Sequence, residues 1–287
     1  MSTQITTAFV QSYRSSVQHL VQQKGSRIRG AVDVEMVVGK SHYFDQVGAG
    51  TAVKRTSRHG DTPLTETPHA RRQVVLEDYE YSDLIDQQDK VRTLIDPQGP
   101  YSMAAANAMG RAMDDVIFAA MNGTAKTGET GATSVTLPSA QKVALSASGL
   151  TLAKLLSAKE ILDAAENDPD EPRFIACPAK DITVLLNTTE IKSADYNTVK
   201  ALAAGQIDTF LGFKFIRSQR TGLIVGGTDR ACFAWCKSGV KLAMGMEPTA
   251  RITERADKSY ATQVYYAMTL GATRMQEESV VEIATTP

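Results

Sequence analysis

Between residues 4 and 24 the apolar positions Val10, Tyr13, Val17, Leu20 and Val21 recur three or four apart, with Ser2 or Thr3 before the first turn and Gly25 after the last. That spacing predicts an amphipathic helix. The period then shortens to two: in AVDVEMVV, Val32, Val34 and Met36 alternate with Asp33 and Glu35, as in a strand. From Ser41 to Gln73 neither period holds, and the large apolar residues thin out to Tyr43, Phe44, Val47, Val53 and Leu64 among glycine, threonine, proline and charge. Structureless loops beyond roughly 12 to 15 residues are uncommon inside a compact domain. Strand-like spacing resumes at Val74, Val75 and Leu76, so residues 31–80 read as a long hairpin arm. A lone two-stranded ribbon is at best marginal in water and needs something to lie against.

SDLIDQQDKVRTLID returns to helical spacing through Leu84, Ile85, Val91, Leu94 and Ile95. A longer helix follows, with Pro100 suited to a first turn and Gly123 to the position past the end. Met103, Met109, Met113, Val116, Ile117, Ala120 and Met121 give it one apolar stripe, as expected of a buried spine helix. GTAKTGETGATSVTLP reads as a glycine and threonine hairpin, and TLAKLLSAKEILDAAEN as a helix capped by Thr151 and stopped before Pro169. Residues 173–249 alternate strands and short helices through RFIACP, AKDITVLLN, ADYNTVKALAAG, TFLGFKFIRS and ACFAWCKSGVKLAMG, a mixed α+β unit. The remainder is strand-rich and closes on VVEI, a terminus expected to be tied into a sheet.

At 287 residues, 43% hydrophobic and 22% charged, the chain has the composition of an ordinary globular protein of about two domains, or one elaborated one. A formal charge of -1 and a pI near 6.4 weigh against a dedicated nucleic-acid binder, which needs a net basic face. Three cysteines and no secretory segment fit reduced thiols in a cytosol. No apolar run approaches the roughly twenty residues of a membrane span, so no membrane is expected. The near-zero net charge conceals a sorting along the chain. Lys54, Arg55, Arg58, Arg71 and Arg72 stand against only Asp61 and Glu66, and are followed by Glu77, Asp78, Glu80, Asp83, Asp86 and Asp89 with no basic residue among them.

Candidate chemistry is sparse. His19, His42, His59 and His69 all fall in the first quarter of the chain, far in sequence from Cys177, Cys232 and Cys236, so a triad or zinc cage would have to be assembled across domains. GKS at 39–41 lacks the glycine of a Walker loop, because Val34 stands in its place, and VGAGT at 47–51 precedes no helix. Cys232 and Cys236 share a strand face with Ala234 between them, which reads as core. The acidic run lacks the spacing of a calcium loop. No catalytic residue, cofactor or metal is expected, and an enzyme using Cys232 or the acidic run would lack a positioned base.

The order of elements resembles the major capsid protein of tailed bacteriophages, the Hong Kong 97-like α+β fold. SADYNTVKALAAGQIDTFLGFKFIRS is similar to that family's helix, glycine and strand passage, and GATRMQEESVVEI to its closing strands. The resemblance implies an N-terminal arm with helix at 1–30, an extended hairpin loop at 31–80 and a peripheral domain with the spine helix at 81–150. It further implies an axial domain at 151–249 and C-terminal strands at 250–287 returning to the peripheral domain. It implies a structural protein that forms hexamers and pentamers in an icosahedral shell around double-stranded DNA, in the virion after assembly in the host bacterial cytoplasm, without sequence-specific DNA binding. The implied partners are copies of itself, a portal, a separate scaffolding protein, since no long N-terminal extension precedes the spine, and a decoration or cement protein. An encapsulin-like nanocompartment shell shares the fold and is the alternative. In either shell the basic set would meet the acidic set of the next subunit, head to tail, and charge reversal of Arg71 and Arg72 is expected to impair shells while sparing the monomer.

Overall fold

The computed structural model describes residues 22–58, 60–62, 64–86, 98–145, 149–187, 209–222 and 230–285. Four strands open the described chain: β1 Asp33–Met36, β2 Ser41–Val47, β3 His69–Val75 and β4 Glu77–Ile85. Helix α1, Gln98–Asn122, leads to the short strands β5 Ala125–Thr127, β6 Thr133–Val135 and β7 Lys142–Val143. Then come α2 Leu152–Ala164, β8 Arg173–Cys177, α3 Ala179–Asn187, β9 Thr209–Phe210 and β10 Phe213–Arg217. The chain closes with β11 Arg230–Cys236, β12 Val240–Arg255, β13 Ala261–Arg274 and β14 Val280–Thr285. Three sheets result, in the orders β1-β12-β13-β4, β7-β14-β11-β8-β10-β9 and β2-β3-β5-β6. The architecture is α+β.

The chain divides into two compact units, the first taking the described residues of 1–26, 79–111 and 247–268, the second those of 27–78, 112–246 and 269–287. In the first, Gly110 of α1 lets the backbone pass close by: a Cβ there would lie 2.3 Å from the carbonyl carbon of Gly25. Gly25 N–H donates to Asn107 Oδ1 at 3.2 Å, and Ser102 Oγ lies 2.7 Å from Tyr266 Oη.

In the second unit, β11 alternates its side chains between two buried faces. Cys232, Ala234 and Cys236 join Leu155, Leu162, Ile175, Leu185, Phe213 and Ile283 in the core that α2 and α3 cover. Phe233 and Trp235 face the other way: Phe233 meets Phe118 of α1, while Trp235 stacks on Phe174 and donates from Nε1 to Ala31 O at 2.9 Å. Thr151 caps α2, its Oγ1 accepting from Lys154 N–H. Asp114, fully buried in α1, accepts from the N–H groups of Arg27 and Ile28. The far end of α1 is closed by Arg274, which donates to the carbonyls of Met121, Gly123 and Val135. A fully buried guanidinium thus satisfies acceptors that the helix leaves orphaned.

Several expectations meet the structure differently. Ser82–Ile85, read as the start of a helix, continue β4, because the period of two set by Tyr79, Tyr81 and Asp83 runs on to buried Ile85. The last strand, expected among those returning to the peripheral domain at 81–150, lies between β11 and β7 in the six-stranded sheet, β7 itself falling within 81–150. Met103 in the expected apolar stripe is about half exposed, whereas Met109, Met113, Ile117 and Met121 are buried. The expected helix at 4–24, apart from its irregular last three residues, lies outside the described residues, as do the expected helix at 194–205 and most of that at 84–95.

Candidate functional site: the hairpin arm and its root

Strands β2 and β3 form an antiparallel ribbon from Ser41 opposite Val75 to Val47 opposite His69. Beyond it, Gly48 N–H donates to Pro68 O at 2.8 Å, and the described residues of 49–67 run on without regular structure. The described residues of that tip are exposed, including Lys54, Arg55, Arg58 and an almost fully exposed Leu64. Arg55 spends its guanidinium on tip carbonyls, those of Ser57 and Arg58, which curls the chain around its own cation.

The ribbon's two faces carry different chemistry. On the outer face, Arg71 lies opposite Asp45 in the register, donates to it at 2.6 Å, and stands 5.6 Å over the Tyr43 ring. Both partners are largely in water, so the pair orders the ribbon more than it stabilises it. Gln73 donates to Tyr43 Oη, and Thr127 Oγ1 donates to Arg71 O, tying β5 to the ribbon. A hollow of about 610 Å³ opens here, lined by Asp45, His69, Ala70, Arg71, Thr127, Gly128 and Glu129.

The inner face makes the root. Phe44 and Val74 pack with Val37, Ala243 and Met275 in a small core of their own. Lys241 of β12 stands 4.8 Å over the Phe44 ring and donates to Glu35 at 2.7 Å, with Asp33 at 3.3 Å. Burial pushes its pKa down, but bonds to the two carboxylates more than offset this and the net shift is upward. Gln46 Nε2 and Arg72 Nε both donate to Met275 O, and Arg72 Nη2 pairs with Glu277. Arg274 sets its Nε 3.5 Å from the same carboxylate, so one buried carboxylate serves two guanidiniums. Burial lowers the Arg274 pKa, with Glu277 opposing.

The structure therefore separates residues that the sequence groups together. Lys54, Arg55 and Arg58 are at the exposed tip. Arg71 is held by Asp45 of its own ribbon. Arg72, read as part of the outward basic face, is enclosed against Glu277, because neighbours on a strand face opposite sides and Arg72 shares its side with buried Val74. The period of two in RRQVV carried that signal. Glu277, Arg274 and Gln46, which complete the root, stood out by no motif. Of the acidic set, Asp78 accepts from Thr269 Oγ1 at 2.6 Å, Glu80 from Tyr265 Oη at 2.9 Å and Asp83 from Leu84 N–H. Glu77 and Asp86 are exposed, and Asp89 lies outside the described residues. His69 is exposed on β3 and His42 packs edge-on against Phe44 at 4.9 Å, while His19 and His59 lie outside the described residues. Among the described residues no group of three or more His, Cys, Asp and Glu is placed to hold a metal ion. No described helix is long and apolar enough to cross a membrane.

A ribbon rooted at one end, a long helix capped by a buried arginine and a six-stranded sheet with its helices make up an α+β fold of the Hong Kong 97-like class. Solved capsids share it: that of cyanophage P-SCSP1u superposes with a TM-score of 0.76 at 17% identity, covering 99% of this chain and 95% of that one. The capsid of Helicobacter pylori bacteriophage KHP30 gives 0.73 at 11% identity over 100% and 98%, and that of Ralstonia phage GP4 gives 0.72 at 11% over 96% and 95%. No curated protein matches by sequence. Residues 5–286 match the phage capsid protein family, and the chain belongs to it. It is a structural protein of the capsid shell, and the family decides between the two shell readings in favour of the phage.

Proposed function

We infer that this protein assembles with copies of itself, as hexamers and pentamers, into an icosahedral shell that encloses double-stranded DNA in the virion of a tailed phage. It carries out no catalysis in this role. Assembly belongs in the host bacterial cytoplasm, with a portal and a separate scaffolding protein as partners and a decoration protein as a further one. Residues 31–80 act as the extended loop, 81–150 as the peripheral domain and 151–249 as the axial domain, flanked by the N-terminal arm at 1–30 and the strands at 250–287.

The observation that carries this reading is the ribbon that, among the described residues, is anchored at one end only. Its root is fixed by Phe44, Gln46 and Arg72, while its tip carries exposed Lys54, Arg55 and Arg58 and an exposed Leu64. A cationic tip of this kind suits the acidic strand of the next copy, where Glu77, Asp78, Glu80 and Asp83 follow one another with no basic residue. One exposed ion pair contributes only about 0 to 1 kcal/mol. Repeated around a ring, such contacts accumulate while each stays weak enough to break and correct, and their charge selects register and speeds encounter.

Electron microscopy tests the reading. Wild-type protein co-expressed with its scaffolding partner is expected to form closed icosahedra, and protein with Lys54, Arg55 and Arg58 each changed to Glu is expected to stay folded, by circular dichroism, without forming them. Normal shells from that variant would remove the role given to the tip; a small discrete wild-type oligomer would remove the shell.

A further inference from the structure

Cys177 and Cys232 have no part in the arm or its root, yet the six-stranded sheet sets them face to face. Strands β8 and β11 pair antiparallel with Ala234 opposite Ile175 and Phe233 opposite Ala176, so the next step of the register brings Cys232 opposite Cys177. The hydrogen bonding says which kind of pair this is. Cys236 N–H donates to Ser279 on the β14 side, and Cys177 O accepts from Ser218 on the β10 side. Residues two apart turn their backbone groups the same way, so Cys232 also addresses β14 and neither cysteine spends its backbone on the other. Such a non-hydrogen-bonded pair brings the Cα atoms to about 4.5 Å with both side chains on one face. Disulfides span Cα separations of roughly 4.4 to 6.8 Å. Both thiols are free and fully buried.

The surroundings of the pair are polar on one side. Cys232 Sγ donates to Asp181 Oδ2 at 3.2 Å, and Thr285 Oγ1 donates to the same oxygen at 2.9 Å. Asp181 is 2% exposed, and its other oxygen, Oδ1, is buried with no hydrogen-bond partner. Lys154, donating to Ala284 O at 2.8 Å, lies within electrostatic reach of both Asp181 and Cys232. A carboxylate is costly to keep in an apolar core when one of its oxygens is unsatisfied, and packing alone gives no reason for this one to touch a thiol.

We propose that Cys177 and Cys232 are a modification site, a cross-strand disulfide that closes when the protein leaves reducing for oxidising surroundings. The bond fastens the chain between them, which includes α3 and β10, to the middle of the sheet. The chemistry is thiol–disulfide exchange with a low-molecular-weight disulfide such as oxidised glutathione. One cysteine, exposed by local opening, loses its proton to water and attacks as thiolate, forming a mixed disulfide and expelling one small thiolate; the second loses its proton likewise, attacks the protein sulfur of that intermediate and expels the other, and the two small thiolates take up the two protons. One protein S–S bond forms and one small-molecule S–S bond breaks, and the released pair of thiols carries off two electrons and two protons. Burial pushes Cys177 up to about 12 and Cys232 well above its ordinary value, so thiolate is scarce in the closed sheet and exchange is slow, proceeding through local opening. The same burial then shields the bond. The biological occasion, release of a shell from a cell, rests on the proposed function; the chemistry does not involve the arm and is tested without it.

Full-length protein is held in native buffer with excess oxidised glutathione, at a temperature where amide exchange reports opening of β8 and β11, then denatured without reductant and titrated for thiols. One free thiol of the three is expected, with a peptide linking Cys177 to Cys232 and Cys236, which faces Arg173, left free. Cys236→Ala protein should titrate none and Cys177→Ala protein two. Three free thiols after that treatment, or a link through Cys236, would overturn the proposal.

Discussion

Arg71 and Arg72 are adjacent, carry the same charge and do opposite things. Arg71 shares solvent with Asp45, so Arg71→Ala is expected to leave the urea midpoint unmoved. Arg72→Ala strands the Glu277 carboxylate in the root, a change that typically destabilises by about 3 to 5 kcal/mol. The lower end is expected, because Arg274 still stands beside Glu277. A shift of the unfolding midpoint for the second variant and none for the first, under the same urea titration, is the result to look for. Reversing both charges is therefore expected to damage the fold itself rather than spare the monomer, which makes the double variant no clean test of assembly. The buried thiols make a different prediction at alkaline pH. Cys177 is raised to about 12 and Cys236 to about 11, each by burial, so both remain protonated in the folded chain when the unfolded chain, with its ordinary value of 9.0, has begun to ionise. The unfolded state then binds fewer protons, and stability, constant in this respect below pH 9, falls as pH rises from 9 towards 11 and 12. Thermal unfolding at pH 8 and pH 10.5 should show the fall, and a variant with all three cysteines changed to Ala should flatten it.

At the level of elements, two glycines decide whether neighbouring segments can meet. Gly110→Ala gains about 1 kcal/mol of helix propensity, but its methyl would fall 2.3 Å from the Gly25 backbone, which has no side-chain torsion with which to yield. Overpacking of that kind costs typically 1 to 3 kcal/mol, and net destabilisation is the expected sign in a thermal melt. Gly131, at a φ of +69°, would place a Cβ 1.9 Å from Gln73 Oε1. Gly131→Ala is expected to loosen the β5-β6 hairpin from the ribbon, seen as faster amide exchange at Thr127. Much at this scale was legible in the sequence: Thr151 as a cap, Gly123 past the end of α1, the 125–135 hairpin and the alternation that runs through β11. The error at Ser82–Ile85 arose because Leu84 and Ile85 satisfy a helical period as well as the end of an alternating one. Only pairing with β13 settles which backbone forms.

For the whole molecule, the charges sorted along residues 54–89 acquire their meaning from position. A tip that presents Lys54, Arg55 and Arg58 to water gives an association rate that depends on ionic strength, since exposed charges are screened beyond about 8 to 10 Å at physiological salt. Light scattering during assembly should show slower encounter as salt rises, with the unfolding midpoint of the monomer far less affected. Equal sensitivity of the two would mean that the charges serve the monomer instead.

The sequence by itself determined the periods, caps and turns, and with them an α+β chain carrying a long hairpin arm, because these features depend on residues a few places apart. It also determined the family, through the order of those elements. Which arginine faces outward, which carboxylate is buried with it, where the last strand inserts and which two of three cysteines meet were decided only by tertiary structure. Each of these joins residues from tens to more than two hundred positions apart, as in Arg72 with Glu277, and no local pattern records a pairing made across such distances.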